Sequence, residues 1–486
     1  MAVNQQKTPD HKRLLSNLKN ISQNIRHHSL AWIIGTSTLI LFVASSVRHI
    51  LFQSTAFDLG IFDQAVYLIS QGKVPFSTYM GYHILGDHAA LIWYPLALLY
   101  KIYPSVYWLF AVQALALAIG ALPVWHLARQ AGLQTHATTL AIVYLLYPQV
   151  FNVNLFDFHP EVIALPMLIT AVWCARAQKF WYFCLSIFIV LMCKAVLSLT
   201  IVGMGIWLLL FEKRRNEGAV AITMGIAWFL ITSGVIVPTF SGKQAAAVGR
   251  YSYLGSSVWE IAKNLILKPQ IVLGKILTLD NLGYLVLLTS PLIWGLSLKG
   301  AAPLVGAIPC IAINIIADYQ PQKDLVHQYS VPAVPFLILA VIATLAAGKG
   351  LVRSQRGIII WSLIGFLLLA KFTYFGGKYL DKLDTWQATN EAISQVKSKA
   401  SVLTTASISA HLSHRQLINL AYKEQTLTDA LKYNYILTDT RHPGWGNDTE
   451  SARRLVNFLK NRSDFKLTYQ RTDVYLFQKT TYSIPN

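Results

Sequence analysis

Charged residues are scarce in this 486-residue chain: only 13% are Asp, Glu, Lys or Arg, whereas 54% are apolar. A soluble globular protein normally carries about 25% charged residues, so an ordinary soluble enzyme is excluded. The apolar content also excludes a disordered chain. Glycine and proline follow no repeat, which excludes a collagen-like chain. A polytopic α-helical membrane protein is the class that remains.

Cysteine is also rare, and the four cysteines all lie in apolar stretches. Their spacing matches no metal-ligand motif and no disulfide framework, so we interpret them as small buried apolar residues. The chain also lacks a glycine-rich phosphate loop, so we do not expect a nucleotide-binding domain.

Acidic residues are few, 22 against 41 Lys and Arg, which gives a net charge of +19. A basic soluble protein would first be tested for nucleic-acid binding. Here the basic residues cluster beside apolar segments, as the positive-inside rule describes, and no nucleic-acid-binding signature is present. We therefore expect membrane lipids, and no nucleic acid, as partners.

The apolar segments predict a transmembrane domain over residues 30–375, with about 11 net spans, preceded by a basic cytoplasmic tail over residues 1–29. Segment 89–103 is too short for a comfortable span of a bilayer core of about 30 Å, so we expect it to lie at the interface or to re-enter. Segment 181–211 is too long for one span. It predicts a hairpin of two short helices that turns near Lys194.

Charge placement predicts that the polar loops 48–88, 239–281 and 318–330 collect on the extracytoplasmic side, together with residues 376–486. The last of these regions has no spanning run. It predicts strands at 400–405, 435–439 and 474–477 and a helix at 449–461. This alternation predicts a small soluble α/β domain.

Two carboxylates in the first outer loop, Asp58 and Asp63, are candidate catalytic residues. Five positions apart, they would point about 140° apart on a helix, so that one could face a cavity and the other a partner group. An acid at the membrane surface could act as a general base or a metal ligand. The alternative is a pair of acids that cap an interfacial helix.

A second candidate set, Asp157, His159 and Glu161, lies between two apolar segments. In an extended segment all three side chains would face one way. Such a set could bind a divalent cation or hold a base in one tautomer. The alternative is a hydrogen-bonded turn at a helix start.

Lys194 lies within an apolar run, where an ionisable group is costly, and therefore predicts an acidic partner or a bound anion such as a phosphate. Snorkelling to the outer surface is the alternative. The other candidate substrate-binding residues are interfacial or lie in a basic, aromatic loop, and each could equally be a membrane anchor. These are His88, Arg250, His327 and Tyr329.

Three segments resemble a known bacterial membrane family, domain of unknown function 2079. Asp58–Gln64 (DLGIFDQ) and Asn154–Glu161 (NLFDFHPE) resemble its two signature segments, and Ala410–Arg415 (AHLSHR) is similar to its "HLS-x-R" stretch. The resemblance covers roughly residues 50–480.

That family is in turn distantly similar to the GT-C glycosyltransferases, multi-span enzymes that take sugars from polyprenyl-phosphate carriers. The resemblance implies a GT-C-like fold in the bacterial inner (plasma) membrane and a lipid-linked sugar as partner. By position, Asp58 or Asp63 would match the catalytic acid of the first outer loop. One departure is that Ala195 and Val196 stand where the family usually has acids after the lysine, which puts retention of the activity in doubt.

The leading hypothesis is therefore a membrane glycosyltransferase that uses a polyprenyl-phosphate sugar on the extracytoplasmic side. A lipid or solute transporter and a non-catalytic membrane scaffold are the alternatives. The enzymatic reading requires that Asp58, Asp63, Asp157, His159 and Lys194 line one outward cavity. A divalent cation is a possible cofactor, and the sequence leaves the oligomeric state open.

Overall fold

The computed structural model describes residues 9–480, with side chains from residue 29 onward. It is built mainly of helices, most of them apolar and short. The α-helices are Pro9–Ile50, Ile61–Ser70, Leu85–His88, Trp93–Ile102, Tyr107–Ile119, Ala121–Gln130, Ala137–Leu145, Pro148–Leu155, Glu161–Arg176, Phe180–Cys193, Leu197–Leu210, Arg215–Ile231, Val237–Ser241, Val258–Leu267, Pro269–Ile276, Leu279–Thr289, Ile308–Ile316, Val334–Ala346, Gln355–Leu369, Leu383–Ser394, Ala406–Ser409 and Thr449–Lys460.

Short 3-10 or π turns connect or extend several of these helices. They are Ala56–Gly60, Thr232–Ile236, Ala246–Tyr251, Ser290–Gly295, Leu298–Gly300, Ala302–Ala307, Gln320–Lys323, Gln328–Ala333, Lys371–Gly376, Lys378–Leu380 and Leu427–Lys432.

Within the described residues, four continuous helical stretches are long and apolar enough to cross a membrane, and two bent pairs raise this number to six. The stretches are Ser29–Ile50, Tyr107–Gln130, Arg215–Ser241 and Gln320–Ala346. Three shorter apolar helices accompany them. The fold is thus a polytopic helical membrane protein, and the figure of about 11 net spans stays a prediction.

The two short helices expected at 181–211 are present, with the break at Lys194, while their folding back as a hairpin stays a prediction. Helices Phe180–Cys193 and Leu197–Leu210 have 14 residues each, which makes each about 21 Å long. The break falls at Lys194, whose backbone is extended, with φ −164° and ψ 139°. A helix break in this apolar setting leaves backbone polar groups that need other partners.

The segment around His88 supplies those partners. The Ala195 N–H donates to the His88 carbonyl at 2.9 Å, and the Ile92 N–H donates to the Met192 carbonyl at 3.0 Å. The end of the first outer loop therefore lies directly against the break, and Lys194 is brought next to the residues of that loop.

The C-terminal region forms a five-stranded sheet, which contains the three predicted strands and two that were not predicted, Ile418–Leu420 and Phe465–Arg471. Its first strand, Val402–Thr404, lies between the parallel strands Ile418–Leu420 and Tyr435–Asp439. Val474–Lys479 pairs antiparallel with Tyr435–Asp439, and Phe465–Arg471 forms the outer edge. A separate two-stranded hairpin, Phe76–Ser77 with Tyr82–His83, lies in the first outer loop.

Helix Thr449–Lys460 matches the helix expected at 449–461 and packs its buried side chains on the sheet. Helix Leu383–Ser394 also contacts the sheet. The location of this α/β unit outside the cytoplasm stays a prediction.

The α/β unit contacts the first outer loop through polar bonds. The Gln64 amide donates to the Arg415 carbonyl at 3.2 Å, and the Thr78 hydroxyl donates to the Ile418 carbonyl at 2.6 Å. The Lys382 ammonium donates to the Phe52 carbonyl at 2.7 Å. The loop that carries Asp58 and Asp63 is therefore supported from the side of the sheet.

Candidate functional site

Asp58 lies on a kinked turn, Ala56–Gly60, in the first outer loop. Its φ of 78° and ψ of −90° fall in a region that non-glycine residues rarely adopt. Such conformations persist only where surrounding contacts impose them, and they cluster at functional sites. The Thr55 hydroxyl donates to the Phe57 carbonyl at 2.6 Å, and the Gly60 N–H donates to the Thr55 carbonyl at 3.1 Å. These bonds hold the turn, and the Asp58 side chain remains 32% exposed.

His159 is the nearest ionisable partner of Asp58. Its Nε2 lies 3.1 Å from Asp58 Oδ1, and its side chain is only 1% exposed. The ring stacks on Phe156, with centroids 5.4 Å apart. Burial alone would raise the pKa of Asp58, but the His159 charge opposes it and the net pKa lies below the usual value. Burial alone would lower the pKa of His159, but the charge of Asp58 outweighs burial, and the net pKa lies above the usual value. The two groups thus favour a carboxylate and an imidazolium.

Lys194 and Glu161 form a buried ion pair beside this one. Lys194 Nζ donates to Glu161 Oε1 at 2.7 Å, and the side chains are 9% and 4% exposed. Glu161 begins the helix Glu161–Arg176, where a negative charge is favoured. Glu161, 33 positions earlier in the chain, is thus the acidic partner that the apolar setting of Lys194 predicted. The second oxygen, Glu161 Oε2, is buried and has no hydrogen-bond partner among the described residues.

Asp87 and His88 come from the segment that packs against the helix break. Burial raises the pKa of Asp87 to about 6, while Lys194 lowers it and Asp58 raises it further. His88 Nε2 lies 3.2 Å from Asp87, and burial, with Lys194 and Arg250 nearby, holds the pKa of His88 well below its usual value. These mutual influences place both residues in the same electrostatic environment as Asp58 and Lys194.

Arg250 contributes a second cation, held by aromatic rings. Its guanidinium lies 4.4 Å from the Tyr319 ring centre and 4.9 Å from that of Tyr329. It donates to the Tyr329 hydroxyl at 3.0 Å and to Gln322 Oε1 at 3.1 Å. A planar guanidinium fixed in this way is suited to a phosphate.

His327 completes the group. Its Nδ1 lies 2.7 Å from Asp324 Oδ2, and its ring meets Phe156 edge-on at 4.3 Å. Phe156 therefore separates the His327 and His159 rings. We call the combined set the Asp58 cluster: Asp58, Asp87, His88, His159, Glu161, Lys194, Arg250, His327 and Tyr329.

Asp63 does not belong to this cluster, and the expectation that it shares a site with Asp58 is wrong. Its side chain is 1% exposed and accepts hydrogen bonds from Ser413, from Tyr100 at 2.5 Å and from His414 at 3.0 Å. Burial would raise its pKa, but His414 and the hydrogen bonds hold the pKa below the usual value. Asp63 therefore joins the first outer loop to the C-terminal "HLS-x-R" stretch.

Asp157 is also separate, because the segment 157–161 does not turn its polar groups to one side as expected. Asp157 has a φ of 67°, pairs with Arg48, and accepts from the Thr55 N–H at 3.2 Å. His159 and Glu161 point to Asp58 and Lys194 instead. Asp157 thus anchors the residue at which the Asp58 turn begins.

The family is settled by the sequence comparison. Residues 48–476 match the family described as predicted membrane protein (DUF2079). The chain belongs to the DUF2079 family. No protein with a curated description matches it.

Solved structures similar to this DUF2079 protein include two of ArnT from Cupriavidus metallidurans. The undecaprenyl phosphate complex gives a TM-score of 0.46 at 10% identity and covers 94% of this chain and 99% of that one. The apo state gives 0.44 at 10% identity, with 93% and 98% covered.

The divalent cation that the sequence left possible stays a prediction. Among the residues whose side chains are described, no three His, Cys, Asp or Glu groups are placed to hold a metal ion. Asp58, Glu161 and Asp157 each contact a different cation. We therefore assign no chemical step to a metal.

Several residues of this environment were not predicted as site residues. Asp87 and Asp324 lie beside the predicted His88 and His327, so their positions in the sequence offered a signal. Arg48 lies at the end of the first apolar run, where a basic residue is usually interpreted as a determinant of membrane topology. Its role depends on Asp157, 109 positions away.

Proposed function

We propose that this protein transfers a glycosyl group from a lipid-phosphate carrier to an acceptor hydroxyl on the extracytoplasmic side. One observation carries the proposal. Asp58, a partly exposed carboxylate on a strained turn, lies in one electrostatic cluster with the buried Lys194 and with His159. A base, an orienting imidazole and a cation for phosphate are the groups that this transfer needs.

Asp58 serves as the general base. Its lowered pKa keeps it ionised at neutral pH, and the His159 imidazole lies 3.1 Å from its Oδ1. The acceptor oxygen attacks the anomeric carbon and passes its proton to Asp58, while the bond from that carbon to the carrier phosphate breaks. The phosphate leaves with the bonding electron pair. General base assistance contributes typically about 10²–10⁴-fold to such a step.

Lys194 and Arg250 hold the phosphate. Lys194 uses one of its three donor protons on Glu161, so that two remain for a ligand. Arg250 is fixed between Tyr319 and Tyr329. Cations placed where charge develops on the leaving group stabilise the transition state more than the ground state. His88 and His327 border the same space and contact the substrate in this proposal.

An apolar groove close to Lys194 suits the carrier's hydrocarbon chain. Its volume is about 200 Å³. Its walls come from the helix that ends at Cys193 and from the helix Arg215–Ile231. The lining residues are Phe188, Leu191, Met192, Met224, Ala227, Trp228 and Ile231. Met192 is two positions from Lys194, so a chain in this groove would bring its phosphate toward the ammonium.

A transporter is the second candidate, and one observation favours it. The Lys194–Glu161 pair lies at a break between two short apolar helices. Transporters often place their binding sites at such discontinuous helices. A transporter would move labelled lipid across a vesicle membrane without changing it, whereas the proposed enzyme would convert a labelled carrier.

The test is transfer by full-length Asp58→Asn in nanodiscs with a radiolabelled polyprenyl-phosphate sugar and extracted envelope acceptors. We expect the rate to fall by about 10²–10⁴-fold, because the amide cannot accept the proton. Asp381→Asn, at an exposed carboxylate outside the cluster, is the matched control and should retain transfer. Full activity of Asp58→Asn would reject the mechanism.

A further inference from the structure

Trp445 is an exposed aromatic residue in the α/β unit, with 65% of its surface accessible. It lies in the loop after the strand Tyr435–Asp439, between Gly444 and Gly446. Both glycines have a φ of +79°, which side-chain-bearing residues rarely adopt. The two glycines therefore allow a backbone conformation that leaves the indole of Trp445 on the surface.

The loop is also held in place on both sides of the indole. A Cβ on Gly446 would come within 2.8 Å of the Tyr422 ring, and a Cβ on Gly444 would lie 3.5 Å from Ala406. Helix Ala406–Ser409 contacts the Asp58 turn in its own right. The position of Trp445 is thus fixed relative to that turn.

The indole contacts the residue that precedes the proposed base. Its ring centre is 5.0 Å from that of Phe57, at an interplanar angle of 74°, and Phe57 directly precedes Asp58. Tyr422 flanks it at 6.2 Å, also edge-on. Three aromatic rings therefore meet beside a partly exposed carboxylate, yet most of the indole stays accessible.

Lipid contact is a weaker explanation for this exposure. Trp181, for comparison, is 79% exposed at the start of the apolar helix Phe180–Cys193, where lipid would cover it. Beside its two aromatic neighbours, Trp445 has charged groups in the adjoining loops. Lys423 and Asp448 form an ion pair at 2.8 Å in the adjoining loops, and charged groups are costly in hydrocarbon.

We propose that Trp445 is the stacking platform for a sugar ring of the acceptor. The axial C–H groups of a pyranose carry partial positive charge, which the electron-rich face of an indole attracts. The ring N–H can donate to a sugar hydroxyl. A sugar on Trp445 would present a hydroxyl toward Asp58, and the acceptor is accordingly a glycan or glycolipid. The identification of the bound sugar as the acceptor rests on the proposed function, whereas the carbohydrate site itself does not depend on it.

The first measurement is transfer kinetics with the acceptor concentration varied. Trp445→Ala should raise the KM for the acceptor by about tenfold, a loss of the size expected for one aromatic stacking contact, and leave kcat within a few-fold. Trp445→Phe should recover most of the affinity, because it keeps an aromatic face. Trp181→Ala is the matched exposed tryptophan and should change neither constant.

The second measurement does not depend on transfer. Full-length Asp58→Asn in nanodiscs, labelled with 5-fluorotryptophan, is titrated with soluble oligosaccharides that contain glucose, galactose or N-acetylglucosamine. The fluorine resonance that disappears in Trp445→Phe should shift with at least one of them. A shift in this variant, together with no detectable transfer by the wild-type chain with any acceptor, supports the carbohydrate site and rejects the glycosyltransferase.

Transfer without such a shift, and without an effect of Trp445→Ala on KM, overturns the inference alone. Spin-labelled lipids test whether Trp445 contacts the membrane instead. Broadening of the Trp445 resonance by them, with no sugar-induced shift, would make Trp445 a membrane anchor and would also overturn the inference.

Discussion

The imidazole Nε2 of His414 lies 3.0 Å from the carboxylate of Asp63, although the two residues are 351 positions apart in the chain. This contact, with the hydrogen bond from Ser413, links the α/β unit to the helix that follows the Asp58 turn. The base of the proposed reaction is therefore positioned from both ends of the sequence.

Asp63→Asn should loosen this link. The amide carries no charge and can accept at only one atom, whereas hydrogen bonds to a charged group are each worth about 1.5–3 kcal/mol. We expect a loss of about 2–4 kcal/mol of unfolding free energy. Hydrogen exchange should rise in residues 56–70 and in residues 409–418.

Asp429→Asn is the matched control for Asp63→Asn, since Asp429 is an exposed acid of the same α/β unit. It should leave exchange in both segments unchanged. Equal protection in Asp63→Asn and the wild type would mean that the contact does not support the loop.

Replacing one partner of the Lys194–Glu161 pair should destabilise the protein strongly. Both side chains are buried, and a lone buried charge costs about 3–5 kcal/mol. Lys194→Met and Glu161→Gln should each show this loss in denaturant unfolding. The double variant should recover part of it, because neither charge remains, but should not recover transfer.

The exposed pair of Lys275 and Asp318 provides the comparison, since its side chains are 36% and 50% accessible. Lys275→Met should cost at most about 1 kcal/mol. If Lys194→Met cost no more than Lys275→Met, the buried pair would not have the role assigned to it.

Asp87 should make a contribution to the free energy of unfolding that is present at acidic pH and is lost at neutral pH. Its folded pKa of about 6 exceeds the usual 3.8, because burial penalises the charged form. Between about pH 4 and pH 6 the folded chain therefore binds a proton that the unfolded chain has released, so this contribution is complete below pH 4 and is lost as the pH rises. Two pKa units correspond to about 3 kcal/mol.

Asp87→Asn should remove that component. The stability difference between variant and wild type should grow in favour of the variant from about pH 4 to pH 6 and then level off. Asp381→Asn, at an exposed position, is the reference. Thermal unfolding in detergent across this range measures both. A pH-independent difference for Asp87→Asn would contradict the assignment.

Local patterns in the sequence predicted the elements whose cause is local. The helix break at Lys194 follows from the length of one apolar run, and the strand Tyr435–Asp439 follows from four apolar or β-branched positions followed by an acid. The short strand Ile418–Leu420 was missed, because three residues carry too little periodicity to distinguish them.

The grouping of site residues was predicted only in part. Asp58 pairs with His159 and lies within electrostatic range of Lys194, but Asp63 and Asp157 lie elsewhere, so the five residues do not line one cavity as the enzymatic hypothesis required. Asp63 accepts a hydrogen bond from Ser413, and Asp157 pairs with Arg48. Partners so distant in the chain leave no periodic signal in the sequence. The roles of all these residues in transfer stay predictions.

The bonds from Gln64 and Thr78 to residues 415–418 also bear on how the topology of this protein can be mapped. A topology reporter fused after residue 375 would replace the α/β unit and so remove those hydrogen-bond acceptors. The first outer loop would lose its contacts with the sheet, and we expect the truncated chain to misfold and to report a wrong topology. Reporters belong beyond the last strand, after Lys479, where both halves of the molecule are kept.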